Sequence, residues 1–317
     1  MYSIKGKNTQ NQKHKIVTAG DTYLDIDAYA CMVAMCELLC LQGGSAVAFS
    51  KAPCNYSVCR SLVEEGQIVR SLPPGFDGDN AQYIVVDVSD PEFLKDSVPL
   101  DSVEEIYDHH VGFENYWNSR IDNGAHIEFI GAAATLVYRQ WKKAELADKM
   151  SRSTALLLIA AILDNTLNLT SANTTYEDIE AYNELCEKEN IDEVWCASYF
   201  SEVQASVESD LENAIFNDIK TVLNNDVLPP RVAQICVWNS SSIIAKLPEI
   251  RAFFAKNAGS WMINIIDIKQ SNSYFVCDDI YYQKGIEKLF NIRFESGVAK
   301  TPRSYLRKEI IKKSYNK

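Results

Sequence analysis

A chain of 317 residues, 47% apolar and 23% charged, has the length and balance of a soluble globular protein of two ordinary domains. Its net charge of −12 argues against general nucleic-acid binding, and its longest apolar run, "ALLLIAAIL" (155–163), is too short to cross a bilayer. Nine cysteines, with no CxxC pair and no cysteine pair at zinc-finger spacing from a histidine, argue against a disulfide framework and a structural zinc site.

The polar start "MYSIKGKNTQNQKHK" lacks the apolar core of a signal peptide, so a cytoplasmic location is expected. "KIVTAG" (15–20) predicts a buried strand running into a loop. "DIDAYACMVAMCELLCLQGG" (25–44) predicts a helix stopped by glycines, with Cys31, Cys36 and Cys40 as buried thiols. Strands follow at "AVAFS" (46–50), "AQYIVVDVSDP" (81–91) and "VEEIYDHH" (103–110). Helices follow at "GAAATLVYRQWKKAEL" (131–146) and "SRSTALLLIAAILDNTLNLTS" (151–171). Alternation at these lengths predicts an α/β fold, a parallel sheet with helices on both faces.

A smaller C-terminal α/β domain is expected from about residue 201, giving domains 1–200 and 201–317. "FSEVQASVESDLENAIFNDIKTV" (200–222) reads as helical and "LPEIRAFFAKN" (247–257) as a helix. "RVAQICVW" (231–238), "SWMINIIDI" (260–268) and "SYFVCDD" (273–279) read as strands. The last twenty residues carry seven basic side chains and one acid.

The polar residues at the predicted strand ends are the informative ones. Asp21, Asp25 and Asp27 follow the first strand, Asp87 ends the third, and Asp108, His109 and His110 end the fourth. Asp164 sits inside an apolar helix, where a carboxylate needs a partner or a cation. In parallel α/β sheets such residues gather at the carboxyl edge, where ligands bind. So many negative charges require cations. Oxygen-rich ligation with an imidazole suits Mn²⁺ or Mg²⁺. Two ions about 3.5–4 Å apart, bridged by a carboxylate such as Asp87, are the usual device for in-line attack on phosphorus.

"DIDAYA", "VVDVSDP", "DHH" and "AAILDNTLNLTS" are similar, in order, to the four motifs of the DHH phosphoesterases. Beyond them, "FNDIKTV", "RVAQICVWNSSSI", "SWMINIIDIKQSNS" and "YLRKEIIKK" resemble the C-terminal domain of family II inorganic pyrophosphatases and related exopolyphosphatases and prune-like proteins. The resemblance implies two Mn²⁺ ions, or Mg²⁺ or Co²⁺ in their place. Asp25 and Asp87 would hold one ion; Asp27, Asp87, His109 and Asp164 the other. His110 would face the substrate as proton donor or phosphate contact, with Asp108 behind it. "GAAAT" would begin a helix near the site. Lys220, Arg307 and Lys308 would hold phosphates in a cleft between the domains.

Two positions depart from the pyrophosphatase pattern. Asp21, itself able to bind a cation, stands where that family has a histidine. Leu306 replaces a phosphate-holding cation, with Arg303 as a possible substitute. The implied activity is metal-dependent hydrolysis of phosphoanhydrides, pyrophosphate or short polyphosphate. The alternatives are a phosphodiesterase on nucleotides or short oligonucleotides, and a catalytically weakened regulatory protein. The implied partners are a small phosphate compound and, by the same resemblance, a second copy in a homodimer; double-stranded nucleic acid and membranes are not expected.

Overall fold

The computed structural model describes residues 14–256 and 259–315; the polar start of the chain, up to residue 13, lies outside them. The chain divides into two compact units. Among the described residues, the first comprises 14–165 and 173–191, the second 166–172, 192–256 and 259–315.

In the first unit, five parallel strands stand in the order β2-β1-β3-β4-β5. They are β1 (Lys15–Thr18), β2 (Ala46–Ala48), β3 (Gln82–Val86), β4 (Val103–Asp108) and β5 (Ala125–Ile127). Six helices accompany them: α1 (Ile26–Leu41), α2 (Pro91–Leu94), α3 (Glu114–Asn118), α4 (Ala133–Lys143), α5 (Arg152–Asn165) and α6 (Tyr176–Glu189). Both sheet faces are covered, as expected of parallel strands. Along β3, Tyr83 and Val85 join Ile16, Ile106, Leu94 of α2 and Trp117 of α3 in one core. Ile84 and Val86 point the other way and are equally buried. α1 packs on β1, β2, α4 and α5, which explains why it is apolar almost all round.

The second unit holds helices α7 (Glu193–Ser209), α8 (Leu211–Asn217), α9 (Ser241–Ala245), α10 (Leu247–Ala255), α11 (Ile280–Phe290) and α12 (Arg307–Tyr315). Its strands are β6 (Lys220–Thr221), β7 (Arg231–Val237), β8 (Trp261–Asp267), β9 (Asn272–Val276) and β10 (Val298–Lys300), in the order β10-β9-β8-β7-β6. Only β7 and β8 run parallel. Val232, Met262, Phe275, Ile286 and Ile310 belong to its core.

Several local expectations differ from the structure. The apolar helix expected to reach residue 171 ends at Asn165. Leu167, Asn168 and Leu169 then take left-handed backbone, with φ of 51°, 58° and 62°, which no right-handed helix accommodates. Lys220 lies on a strand rather than a helix, because Lys220 and Thr221 pair with Val232 and Arg231. Cys31 is buried, but Cys36 is only half-buried and Cys40, on the last turn of α1, is exposed.

Candidate metal centre

The site builds from the carboxyl edge of the first sheet. Asp25 caps α1, accepting the Ala28 N–H at 2.9 Å. Asp27, in the first turn, is fully buried. Its two oxygens accept the N–H groups of Ala133 and Ala134, each at 2.8 Å. These are orphan donors at the start of α4, whose own N-cap residue, Ala132, has no side chain to offer. The small residues of "GAAAT" therefore let a buried carboxylate approach the backbone. Asp178 of α6 completes the cap, accepting from Gly131 N–H at 2.9 Å and the Thr135 hydroxyl at 2.6 Å.

Asp87 follows β3 in left-handed backbone, with φ of 57°, an uncommon conformation outside glycine. Its N–H extends the ladder to the Tyr107 carbonyl at 2.8 Å. Its side chain is only 6% exposed. Its Oδ1 has no hydrogen-bond donor and lies 3.5 Å from His109 Nε2 and 3.9 Å from His110 Nδ1. His109 is buried, with Nδ1 3.3 Å from the Ile130 carbonyl. A carbonyl only accepts, so this contact assigns the proton to Nδ1 and presents the Nε2 lone pair towards Asp87.

His110 is exposed, standing edge-on to His109 with ring centroids 4.3 Å apart. Its Nδ1 lies 2.8 Å from Asp108 Oδ1, which also accepts the His110 backbone N–H at 3.0 Å. Asp108 thus orients the ring and leaves Nε2 as its outer nitrogen. The Ser89 hydroxyl donates to the His110 carbonyl, and the Trp117 indole donates to Ser89, tying the loops after β3 and β4 together.

Burial pushes the Asp87 carboxyl well above the usual range, and the charges of Asp27, Asp25 and Asp108 push it further. Burial, then Asp25, raise Asp27 to about 8 against the opposing Ala133 and Ala134 amides. Burial also pushes Asp108 up, but its hydrogen bond to His110 and the His110 charge outweigh this and hold it low. A cation fits these residues on two counts. Buried oxygens of Asp87 and Asp108 lack partners, and crowded carboxylates pay for ionisation in the absence of positive charge. Asp87, His109 and His110 present ligand atoms within 4.8 Å of one another.

The other expected residues are placed as follows. Asp25 and Asp27 lie near enough to Asp87 to shift it. Asp164 is half-buried in the last turn of α5, which packs against α1. Asp21 is half-buried and accepts the Lys51 N–H at 2.8 Å, linking the loops after β1 and β2. In the second unit, Lys220 is exposed on β6 and Lys308 is exposed on α12. Arg307 makes a bidentate pair with Asp218. Arg303 pairs with Glu309 at 2.9 Å and lies 3.8 Å over the Tyr305 ring.

Sequence reasoning missed Asp178, Ser89, Asp218 and the role of Cys31, whose thiol lies 3.5 Å from Asp27 Oδ1. Only Asp178 carried a signal, the capping-box spacing from Thr175.

No family model matches the chain. A Bacillus pumilus protein described as "Probable manganese-dependent inorganic pyrophosphatase" is 26% identical over 233 residues, 69% of this chain and 71% of its own length. A protein of Oceanobacillus iheyensis with the same description is 27% identical over 114 residues, 36% of each chain. Among solved structures, the Methanococcus jannaschii "putative family II inorganic pyrophosphatase" superposes with a TM-score of 0.65 at 19% identity, over 96% of this chain and all of that one. An exopolyphosphatase-related protein from Bacteroides fragilis gives 0.50 at 12% identity, over 97% and 92%. These two structures speak to the fold. With the four motifs in order and this fold around them, the chain resembles the DHH phosphoesterases and, among them, the family II pyrophosphatases.

Proposed function

We propose that the protein is a divalent-metal-dependent phosphohydrolase that cleaves phosphoanhydride bonds, in pyrophosphate or short polyphosphate. The observation that carries this is the buried, unpartnered Asp87 Oδ1 facing two imidazoles. Asp25, Asp27, Asp87, His109 and Asp164 would hold two Mn²⁺ ions, or Mg²⁺ or Co²⁺, with Asp21 a further oxygen donor. Such ions supply Lewis-acid charge at phosphoryl oxygens and a water acidic enough to act as nucleophile near neutral pH. His110, oriented by Asp108, offers Nε2 to the substrate as proton donor or phosphate contact. Lys220, Arg307 and Lys308, with Arg303, are the candidate phosphate-holding cations. The relatives described as manganese-dependent pyrophosphatases support the metal and substrate class.

Phosphate release from pyrophosphate, tripolyphosphate, long polyphosphate and a dinucleotide, each with Mn²⁺, Mg²⁺ or Co²⁺, tests the proposal. Release from the anhydrides that disappears in Asp87→Ala and His109→Ala, with circular dichroism unchanged, is the expected result. Full activity in either variant sinks it. Leu306, apolar where pyrophosphatases carry a cation, favours a second reading, a phosphodiester substrate. Cleavage of the dinucleotide alone would select that reading.

A further inference from the structure

The Arg307–Asp218 pair in the second unit does more than balance charge. The guanidinium has five N–H donors in a fixed fork. Nη1 donates to Asp218 Oδ2 at 2.6 Å and also to the Asp218 backbone carbonyl, which uses both of its hydrogens. Nη2 donates one hydrogen to Asp218 Oδ1 at 3.0 Å. The Nε hydrogen and the second Nη2 hydrogen remain. They lie on the same edge of the planar group and have no protein acceptor among the described residues. The side chain is 12% exposed, so few conformations are open to it.

Asp218 is itself fixed. The Gln234 backbone N–H, on β7, donates to its Oδ2 at 3.1 Å. The Gln234 side-chain oxygen accepts the Arg307 backbone N–H at 2.6 Å and an Asn264 amide hydrogen at 3.2 Å. Lys220, two residues beyond Asp218, is close enough for its charge to act on Asp218 and for Arg307 to act on it.

We propose that Asp218 is a positioning residue: it takes the distal edge of Arg307 and holds the Nε/Nη2 edge, beside Lys220, towards a phosphoryl group. The inference rests on the reading that Arg307 and Lys220 hold substrate phosphate. Its sign sets it apart from simple charge balance. A carboxylate beside an anion site weakens anion binding by Coulomb repulsion, so charge alone predicts that removing it tightens binding. Positioning predicts the opposite. Asn offers one acceptor where the fork needs two, and the guanidinium edge is released.

The test uses the full-length, Mn²⁺-loaded protein and methylenediphosphonate, measured by calorimetry, with KM and kcat for pyrophosphate alongside. Asp218→Asn should weaken diphosphonate binding and raise KM by about 10-fold or more, with a smaller change in kcat and unchanged Mn²⁺ affinity. Asp218→Glu keeps the carboxylate but sets it one carbon further out; its affinity should fall between the two. In an Arg307→Lys background, which has no fork to position, Asp218→Asn should cost nothing further. Wild-type or tighter affinity in Asp218→Asn and Asp218→Glu overturns the inference and leaves the proposed function standing. Failure of the wild-type protein to bind the diphosphonate overturns the proposed function, and the inference with it.

Discussion

Asp87 concentrates the electrostatic problem of the first unit. Its carboxyl is buried, the charges of Asp27, Asp25 and Asp108 act on it, and one oxygen has no donor. A carboxyl raised in the fold takes up protons that the unfolded chain releases above about pH 4. Between that value and the raised one, the folded state binds more protons, so stability falls as pH rises. For Asp27 the window runs from about pH 4 to about 8. The metal-stripped protein should therefore lose melting temperature between pH 5 and 8. Asp87→Asn should flatten that loss, and Mn²⁺ should remove it in the wild type. A metal-free melting temperature that climbs steadily over this range contradicts the account. At this scale the sequence was legible where chemistry is local. Asp108-His109-His110 announced itself as three adjacent polar residues at a strand end. That Asp87 Oδ1 lacks a donor, or that Asp218 takes one edge of Arg307, depends on residues tens of positions apart, which no local pattern reports.

Among the elements, α4 shows how the site depends on distant caps. Ala132 and the alanines after it cannot satisfy the helix's first donors, so Asp27 and Asp178 do. Asp178 also accepts Thr175 N–H at 2.7 Å and its hydroxyl at 2.8 Å, locking the start of α6 to the start of α4. Every neighbour of that carboxylate is a donor. Asp178→Asn brings an NH₂ group against N–H or O–H donors at one of its two positions, whichever way the amide is turned. A loss of about 3 kcal/mol is expected from unmet buried donors, read as a lower urea midpoint. An unchanged midpoint would mean water replaces the carboxylate freely. The long elements were readable because β3 and α1 are apolar in runs that match their burial. The three-residue strands β5 and β10 were not, since "AHI" and "VAK" bury few side chains and owe their pairing to β4 and β9. The early end of α5 was hidden for another reason. "NTLNLTS" carries no proline or glycine to stop a helix, yet three of its residues turn left-handed.

At the scale of the molecule, chemistry divides between the two units. Every expected metal ligand belongs to the first, and every expected phosphate-holding cation to the second. The chain's acidic balance and its basic end already hinted at this division. A fragment of residues 14–191 retains β1–β5, α1–α6 and the core around Tyr83, Val85 and Trp117. It should fold, and it should bind Mn²⁺ within a few-fold of the full-length protein, since no proposed ligand is lost. It lacks Lys220 and Arg307, and each charge-assisted contact to a phosphoryl oxygen is worth about 1.5–3 kcal/mol. Losing two removes about 3–6 kcal/mol from transition-state binding, or roughly 10²–10⁴-fold in kcat/KM. Manganese titration and phosphate release on the same fragment separate the two roles. Retained metal with lost turnover is expected. Undiminished turnover would mean that the second unit holds no phosphate. Lost metal in a folded fragment would mean that a ligand comes from beyond residue 191.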